Sequence, residues 1–320
     1  MATPPLVVKG LYKSYASTGV LHGLNLEVTQ GAIHGLVGLN GSGKTTTLEC
    51  ILGLNNMTQG QISVLGYQPH QLFQAQGAVV AVFDSPCLHP GLTVRQVLEH
   101  ARLLCGQRRG QARAGPLRSC AEVEQLLGIS KYSAYKISHL SLGNRRRAAI
   151  AQALLGSPAF IVLDEPFNGL DVDGVDDVLT LIARLNQEQG TTFLLSSHQL
   201  PYLEGICTHL SILHKGQISL SGRIDEIFTH KHARYLLNCN NTAQAAGLLQ
   251  QIPGVSLLNL SELERLDFPP NKLIEIEVLS VSSADINFQL VTQGVAVTEL
   301  IIQKHTLATL FRDSTNGAES

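Results

Sequence analysis

The feature that most restricts the fold is a glycine-rich segment, residues 38–45, which directly follows an apolar run and opens a helical pattern. Glycines let the backbone curl between a strand and a helix so that several N–H groups point at one centre, and the helix N-terminus adds partial positive charge. Such a loop binds phosphate oxygens, and the sequence therefore predicts a P-loop for a nucleoside triphosphate. The residues expected to bind nucleotide here are Gly38, Asn40, Gly41, Ser42, Gly43, Lys44, Thr45 and Thr46.

Two residues of this loop and two acids farther along the chain predict a magnesium-dependent hydrolytic centre. Lys44 is long enough to reach β- and γ-phosphates, and the hydroxyl group of Thr45 suits Mg²⁺, which takes few protein oxygens beside the phosphates. The apolar run at residues 160–163 is typical of a buried parallel strand and ends at Asp164 and Glu165. We expect Asp164 to hold Mg²⁺ through water and Glu165 to polarise the attacking water.

A second pattern, Leu-Ser-Leu-Gly-Asn at residues 140–144, precedes a long helical segment. It matches the first, second and fourth positions of the Leu-Ser-Gly-Gly-Gln signature of ABC transporters, and the chain resembles the ATP-binding subunits of that family. Leu142 and Asn144 depart from the signature. The resemblance implies that Ser141 and Gly143 contact the γ-phosphate held by an opposite subunit, through a hydroxyl group and a helix N-terminus.

Further matches occur in the order in which the family carries them. Asp171 ends a segment that resembles the D-loop, although Val172 stands where a proline is common, and His198 resembles the switch histidine. By this resemblance His198 is a catalytic residue that hydrogen bonds the γ-phosphate. Tyr15 matches the aromatic residue that stacks on adenine, an interaction that contributes about 1–3 kcal/mol in nucleic-acid systems.

One position departs from the family in a way that affects the metal. The family usually carries a glutamine between the P-loop and the signature, where it senses Mg²⁺ and contacts the membrane subunit, and Asp84 stands at that position here. A carboxylate suits Mg²⁺ but adds negative charge and donates no hydrogen bond. We therefore expect Asp84 to contact the metal, and the neighbouring groove at residues 87–93 to receive a membrane subunit.

The predicted fold class is α/β, and the resemblance implies a P-loop NTPase cassette with a RecA-like core over residues 1–228. Strand-like segments at residues 6–9 and 24–28 predict an antiparallel β-layer, and the strands at 32–37, 160–163 and 192–195 predict a parallel core. A helical pattern at 92–104, with Thr93 as its N-cap, predicts a helical subdomain at about 86–157.

Residues 229–320 carry none of these motifs and predict a small C-terminal α+β accessory domain resembling a ferredoxin-like layer. The pattern is strand 235–238, helix 242–252, strands 255–258 and 272–279, helix 284–293, strand 295–302 and helix 307–312. Residues 313–320 are expected to be a disordered tail. Because the segment contains no cluster of ligands or nucleophiles, it favours a dimer-stabilising or regulatory module over a second enzyme.

Charge and hydropathy restrict the partners. The formal net charge of −2 gives no reason to expect nucleic acid, and we interpret the run Arg145 to Arg147 as solvated or phosphate-facing side chains rather than a DNA-binding patch. No apolar stretch approaches the roughly 18 residues of a membrane span. If a membrane is involved, we therefore expect another polypeptide to cross it. The resemblance implies an integral membrane permease as partner, a second ATP-binding subunit in a homodimer, and a location on the cytoplasmic face of the plasma (inner) membrane.

The resemblance extends to one group within the family, the bacterial ABC-2 type exporters, which move antibiotics, lantibiotic peptides, polysaccharides or ions. It predicts a head-to-tail dimer that closes on ATP and Mg²⁺ and reopens on hydrolysis. One alternative is the ATPase subunit of an importer. Another is a non-transport ABC ATPase that acts on the ribosome or DNA, against which the single cassette and the lack of sustained heptads argue.

Overall fold

The computed structural model describes residues 3–106, 117–229, 233–258, 273–279, 281–303 and 306–316. The described parts of Met1–Ile224 and Phe311–Ser320 belong to one compact unit, and that of Asp225–Leu310 forms a second. The division falls at the start of the helix Ile224–Thr229. The sequence prediction placed the boundary after residue 228, close to the end of the same helix.

The first unit combines two β-sheets with helices. Its strands in chain order are β1 (Leu6–Tyr15), β2 (Thr18–Val28), β3 (Ile33–Val37), β4 (Gln59–Val64), β5 (Val79–Val82), β6 (Phe160–Asp164), β7 (Thr192–Ser197), β8 (His209–His214) and β9 (Gln217–Arg223). Its helices are α1 (Lys44–Ile51), α2 (Val94–Gly106), α3 (Cys120–Leu126), α4 (Leu142–Leu154), α5 (Val172–Gln189) and α6 (Leu200–Glu204), and α7 (Ile224–Thr229) stands at the division.

The larger sheet has six strands in the order β5-β6-β7-β3-β8-β9, and all neighbours are parallel except β8 and β9. Every residue of β3, β6 and β7 is buried, as their mainly apolar sequences favour for strands covered on both faces. The predicted parallel core is therefore confirmed. Because parallel strands end at one edge, the P-loop after β3, the two acids at the end of β6 and the histidine after β7 meet there.

The smaller sheet is antiparallel, in the order β2-β1-β4. Its alternating apolar residues face α1 and form one core with it, including Leu6, Leu24, Leu48 and Ile51. The predicted antiparallel layer is confirmed, but both predicted strands are longer than expected. Strand β4 was not predicted, since Gln59 to Gln61 open it with exposed polar and glycine residues.

Helices α2, α3 and α4 lie in the segment predicted to be a helical subdomain. Thr93 caps α2 as predicted, because its Oγ1 accepts a hydrogen bond from the Gln96 N–H at 3.2 Å while the Gln96 side chain accepts one from the Thr93 N–H at 2.9 Å. Ser141 caps α4, its Oγ accepting from the Asn144 N–H at 3.3 Å. The signature segment is thus the start of a helix.

The second unit contains the strands β10 (Ala233–Cys239), β11 (Val255–Leu257), β12 (Ile274–Val278) and β13 (Val297–Gln303), with the helices α8 (Thr242–Leu249) and α9 (Ser283–Thr292). Its described strands form an antiparallel sheet in the order β11-β12-β10-β13. This βαββαβ succession is that of a ferredoxin-like layer. Apolar residues of the sheet and both helices form a separate core, which includes Leu237, Ile276, Leu249 and Leu290.

The last helix, α10, is Leu307–Asn316, so it continues beyond the predicted end at residue 312. The prediction of a disordered tail from residue 313 is therefore wrong for its first part, and residues 317–320 lie outside the described residues. Within the described ranges, no helix combines the length and the apolar character needed to span a bilayer.

A buried histidine in β3 predicts acid sensitivity of the fold. His34 is 2% exposed, its Nε2 lies 2.8 Å from the Ser211 Oγ, and burial, together with the nearby His209, lowers its pKa to about 3. Between that value and the unfolded pKa of about 6.5, the unfolded chain binds more protons, so stability falls as pH falls. We expect His34 to account for a loss of about 2 kcal/mol in unfolding free energy between pH 7 and 5.

Urea unfolding at the two pH values measures this loss. A His34→Asn chain should show a smaller decrease than the parent, whereas His100→Asn, at an exposed position of α2, should leave the decrease unchanged. Equal pH dependence in the His34 variant and the parent would contradict the assignment.

Candidate active site

The loop between β3 and α1 needs its glycines for two different reasons. Gly41 and Gly43 adopt φ angles of 81° and 107°, which side chains rarely tolerate. At Gly38 an added Cβ would lie 2.6 Å from the Leu213 carbonyl oxygen. The first turn of α1 has neither a side-chain cap nor an acidic residue, so its backbone N–H groups remain available to an anion.

A cavity of about 450 Å³ lies over this loop, within the range of small-molecule sites. The cavity brings together ten of the residues expected at the site and two that were not expected. The expected residues are Asn40, Gly41, Gly43, Lys44, Thr45, Thr46, Asp84, Asp164, Glu165 and His198, and the additional ones are Val20 and Asn168.

Lys44 is held at the base of the cavity. It is 6% exposed, and its Nζ donates a hydrogen bond to the Gly38 carbonyl at 2.8 Å. The same ammonium group lies 3.3 Å from the Glu165 Oε1. The P-loop lysine and the carboxylate expected to act on water are therefore an ion pair, in which phosphate oxygens would compete with Glu165 for the lysine.

Thr45 and Asp164 form the expected metal-binding pair. The Thr45 hydroxyl donates to the Asp164 Oδ2 at 3.0 Å, and the Ser196 hydroxyl donates to Oδ1. Burial raises the pKa of Asp164, these two hydrogen bonds oppose the rise, and the charges of Glu165 and Asp84 add to it. A cation bound here would relieve this penalty by neutralising the buried carboxylate.

The donor set fits Mg²⁺ bound together with a triphosphate. Among the described residues, no three His, Cys, Asp or Glu side chains form a metal cage. Mg²⁺ in phosphate-transfer sites takes only one or two protein oxygens and completes its shell with phosphates and water. The phosphate side fits as well, because the Ser42 Oγ in the loop is buried without a hydrogen-bond partner.

Glu165 has an unusual backbone conformation that directs its carboxylate. Its φ is 48°, in the left-handed region that non-glycine residues rarely occupy, and such strain persists where the surroundings fix it. The Glu165 N–H donates to the Ser196 carbonyl at 3.0 Å. The carboxylate Oε2 lies 2.9 Å from the His198 Nδ1, so His198 and Lys44 hold the two carboxylate oxygens.

Arg146 is the residue that the sequence analysis missed. It was expected to be solvated or to face phosphate, but it is 1% exposed and donates hydrogen bonds to the Asp84 Oδ1 at 2.7 Å and to the Glu165 carbonyl at 2.7 Å. Asn168 Nδ2 also donates to the Asp84 Oδ1, at 3.0 Å. Burial alone would raise the pKa of Asp84, but the hydrogen bonds from Asn168 and Arg146 lower this pKa below its usual value.

Ser141 and Gly143 line a different cavity, of about 310 Å³, together with Asp171 and Arg147. Among the described residues, none lines both this cavity and the one over the P-loop. Gly143 allows close packing, since an added Cβ would lie 3.0 Å from the Gly169 carbonyl oxygen. Within the described chain, the signature residues are therefore not brought to the P-loop cavity.

Tyr15 does not line the P-loop cavity either. Its ring is 44% exposed and lies under the Lys13 ammonium, whose Nζ is 4.7 Å from the ring centroid. The Asn55 side chain donates to the Tyr15 hydroxyl group. Stacking on adenine remains a prediction for this residue.

A strand–loop–helix phosphate cradle, a Thr–Asp metal pair and a carboxylate held beside them define a P-loop nucleoside triphosphatase. Residues 21–168 match the family model described as ABC transporter. With the relatives that follow, this match shows that the chain belongs to the ABC transporter family, as an ATP-hydrolysing cassette.

Three curated relatives differ in how much of the chain they match. The chain is 36% identical over 219 residues to the uncharacterized ABC transporter ATP-binding protein YdbJ of Bacillus subtilis (strain 168), covering 68% of this chain and 69% of YdbJ. It is 28% identical over 314 residues to the bacitracin transport ATP-binding protein BcrA of Enterococcus faecalis, covering 97% and 96%. It is 30% identical over 238 residues to the methionine import ATP-binding protein MetN of Myxococcus xanthus (strain DK1622), covering 72% and 71%.

Solved structures agree on the fold. An ATP-binding subunit of an ABC transporter superposes with a TM-score of 0.62 at 28% identity, covering 71% of this chain and 92% of that one. The dimeric bacterial cassette MJ0796 superposes with a TM-score of 0.60 at 24% identity, covering 68% and 98%. The predicted ABC cassette fold is thereby confirmed.

Proposed function

We propose that this chain is the ATP-binding and hydrolysing subunit of an ABC-2 type exporter. The observation that carries the proposal is the end-to-end similarity to BcrA, which spans 97% of the chain and so extends through the C-terminal unit. The match to the importer subunit MetN covers 72%. A shared second unit favours the transporter type of BcrA.

Hydrolysis in this proposal uses the side chains of the P-loop cavity. Phosphate oxygens take the Lys44 ammonium from Glu165, which leaves the Glu165 carboxylate free to accept a proton from water. The water oxygen attacks the γ-phosphorus, the bond to the β,γ-bridging oxygen breaks, and ADP leaves. His198, whose Nδ1 contacts the Glu165 Oε2, orients that carboxylate and hydrogen bonds the γ-phosphate.

Thr45 and Asp164 would hold Mg²⁺, with Asp84 at the edge of the same cavity as a third oxygen donor. The ion held there would neutralise the negative charge that develops on the phosphate oxygens. The hydroxyl groups of Thr45 and Ser196 fix the orientation of the Asp164 carboxylate for this role.

The separate signature cavity supports a two-chain site. Ser141 and Gly143 stand at the N-terminus of α4, where N–H groups attract an anion, yet they line a cavity apart from the P-loop. In a head-to-tail homodimer the signature of each chain completes the nucleotide site of the other, with Asp171 beside it. Tyr15 would stack on adenine in the same site.

The permease would dock on the groove next to Asp84. A cavity of about 430 Å³ follows β5, the edge strand of the large sheet, and is lined mainly by apolar residues, including Phe83, Pro86, Cys87 and Leu88. An edge groove of this character suits a helix from a membrane subunit. The chain would then lie on the cytoplasmic face of the plasma (inner) membrane.

Purification of the tagged full chain from detergent-solubilised membranes tests this proposal, with bound proteins identified by mass spectrometry in the presence of ATP and vanadate. We expect a polytopic membrane protein in stoichiometric amount. A Leu88→Glu chain, altered in the groove, should lose this partner, whereas Leu54→Glu, at a surface position outside the groove, should retain it. A solute-binding protein in the complex would indicate an importer, and ribosomes or DNA would indicate a non-transport ATPase.

A further inference from the structure

We infer that Arg146 is a positioning residue for ATP hydrolysis, which ties Asp84 and the turn that carries Glu165 to the helix that carries the signature. The inference concerns the hydrolytic reaction itself, so it does not depend on the direction of transport or on the identity of the permease.

The side chain of Arg146 donates hydrogen bonds to residues that line the P-loop cavity. One terminal nitrogen donates to the carbonyl oxygens of Glu165, at 2.7 Å, and of Asn168. The other donates to the Asp84 carbonyl and, at 2.7 Å, to the Asp84 Oδ1. Asp84, Glu165 and Asn168 each line the cavity. Arg146, which lies on helix α4, is thus hydrogen bonded to two other segments of the cavity wall, one at Asp84 and one at Glu165 and Asn168.

Burial makes these bonds specific to arginine. Arg146 is 1% exposed, and a buried cation is costly unless it is paired and hydrogen bonded. Both terminal nitrogens of Arg146 have partners, including the Asp84 carboxylate, whereas its Nε has none among the described residues. The planar guanidinium presents several donors in a fixed fork, so its two terminal nitrogens can hydrogen bond to two segments at once. The donors of an ammonium group all lie on one nitrogen. Replacement by lysine would keep the charge but could not hold both segments in the same geometry.

The hydrogen bonds also distinguish the two carboxylate oxygens of Asp84. Both Arg146 and Asn168 donate to the Oδ1, at 2.7 and 3.0 Å, and among the described residues no hydrogen bond falls on the Oδ2. The Asp84 side chain is 50% exposed and lines the cavity. The side chain is thereby anchored through one oxygen, and its other oxygen has no protein partner that would compete with a bound cation.

A second link runs from this anchor to the switch histidine. The Gln199 Nε2 donates to the Asn168 Oδ1 at 3.0 Å, and Gln199 follows His198 directly in the chain. His198 in turn contacts Glu165 at 2.9 Å. Arg146 therefore belongs to one hydrogen-bond network with Asp84, Asn168 and the residues around Glu165. Because Arg146 lies on α4, a displacement of this helix is transmitted to the groups that act on water.

The test compares Arg146→Lys with Arg184→Lys in the full chain. Arg184 is an exposed arginine on α5 that pairs with Glu188, so it is a matched control away from the cavity. We expect Arg146→Lys to lower kcat by about 10-fold or more, since small displacements of catalytic groups are costly. The KM for MgATP should stay within about twofold, because substrate-binding groups are untouched. Arg184→Lys should match the parent.

Activity is referred to the concentration of chains that bind MgADP, so partial unfolding does not count as a catalytic defect. If Arg146 only stabilises the fold, Arg146→Lys would lower the Tm but leave kcat per binding-competent chain unchanged, and that result would overturn the inference. A double variant of Arg146→Lys with Asp84→Ala provides the second criterion, because alanine removes the oxygen that accepts from Arg146. We expect kcat of the double variant to be no lower than that of the slower single variant. If instead the two losses in kcat multiply, the two residues act independently.

Should Arg146→Lys fail to fold, Asp84→Ala decides by its magnesium dependence, because alanine removes the oxygen that accepts from Arg146 and Asn168. If Asp84 is anchored by Arg146 to position the cavity wall, kcat of Asp84→Ala stays low at saturating Mg²⁺. If Asp84 serves only as a metal ligand, excess Mg²⁺ restores kcat and the inference fails.

Discussion

Replacement of Glu165 by glutamine is expected to lower kcat for ATP hydrolysis by about 10²–10⁴-fold, the usual contribution of a general base. The amide cannot accept the proton from water, but it has the size and shape of the carboxylic acid and can still hydrogen bond to His198. The KM for MgATP should change little, because an interaction used mainly in the transition state is lost. Phosphate release at saturating MgATP measures the effect.

A matched control lies on the same chain. Glu188 is an exposed carboxylate at the end of α5 with Arg184 as its partner, so Glu188→Gln makes the same chemical change outside the cavity and should hydrolyse ATP at the parental rate. Hydrolysis by Glu165→Gln at the parental rate would remove Glu165 from the role of base. Loss of nucleotide binding instead would point to a structural role in the pair with Lys44.

The nucleotide cradle could be predicted from the sequence because its determinants are local. Gly41, Gly43 and Lys44 follow a strand and begin a helix within a few residues, so chain order alone almost specifies their geometry. To predict that the acids at the end of β6 and the histidine after β7 lie near the P-loop, one more assumption was needed. It is that parallel strands end at one edge of the sheet, and the sheet confirms it.

Arg146 could not be predicted for the opposite reason. A run of three arginines on a helix is typical of a solvated face, and only the backbone carbonyls of Glu165 and Asn168, together with Asp84, make burial of the middle one favourable. These acceptors come from distant positions in the chain, and three of them are backbone carbonyl oxygens that no sequence pattern marks. The acid at Asp84 was visible, but its cationic partner was not.

The length of α10 and the strand β4 were missed for a related reason. Both are segments whose own residues are weak formers of the structure they adopt: β4 opens with Gln59 and Gly60, and the last turn of α10 includes Thr315 and Asn316. In β4 the antiparallel pairing with β1 supplies the stabilisation that the residues themselves lack. Intrinsic propensity therefore underestimated both segments.

The second large effect is a recovery of ATP hydrolysis when two inactive variants are combined in one dimer. Lys44→Ala removes the cation at the P-loop, and Ser141→Arg places a bulky cation at the signature, so each chain alone should be inactive. In a mixed head-to-tail pair both changes fall in one composite site and the other site is intact. Co-expressed chains with different tags, purified through both, should therefore recover up to about half of the parental activity, one working site of two in a two-fold pair.

The decisive comparison is the pair Lys44→Ala with Glu165→Gln. Lys44 and Glu165 line the same cavity, 3.3 Å apart, whereas Ser141 lines another. A mixed pair of these two variants has no intact composite site, since each site contains one changed P-loop cavity, and it should remain inactive. Recovery in this pair as well would mean that Lys44 of one chain acts with Glu165 of the other, against their contact within one cavity of a single chain. Absence of recovery with Ser141→Arg would show that each chain completes its own site, against the separation of the two cavities in the fold.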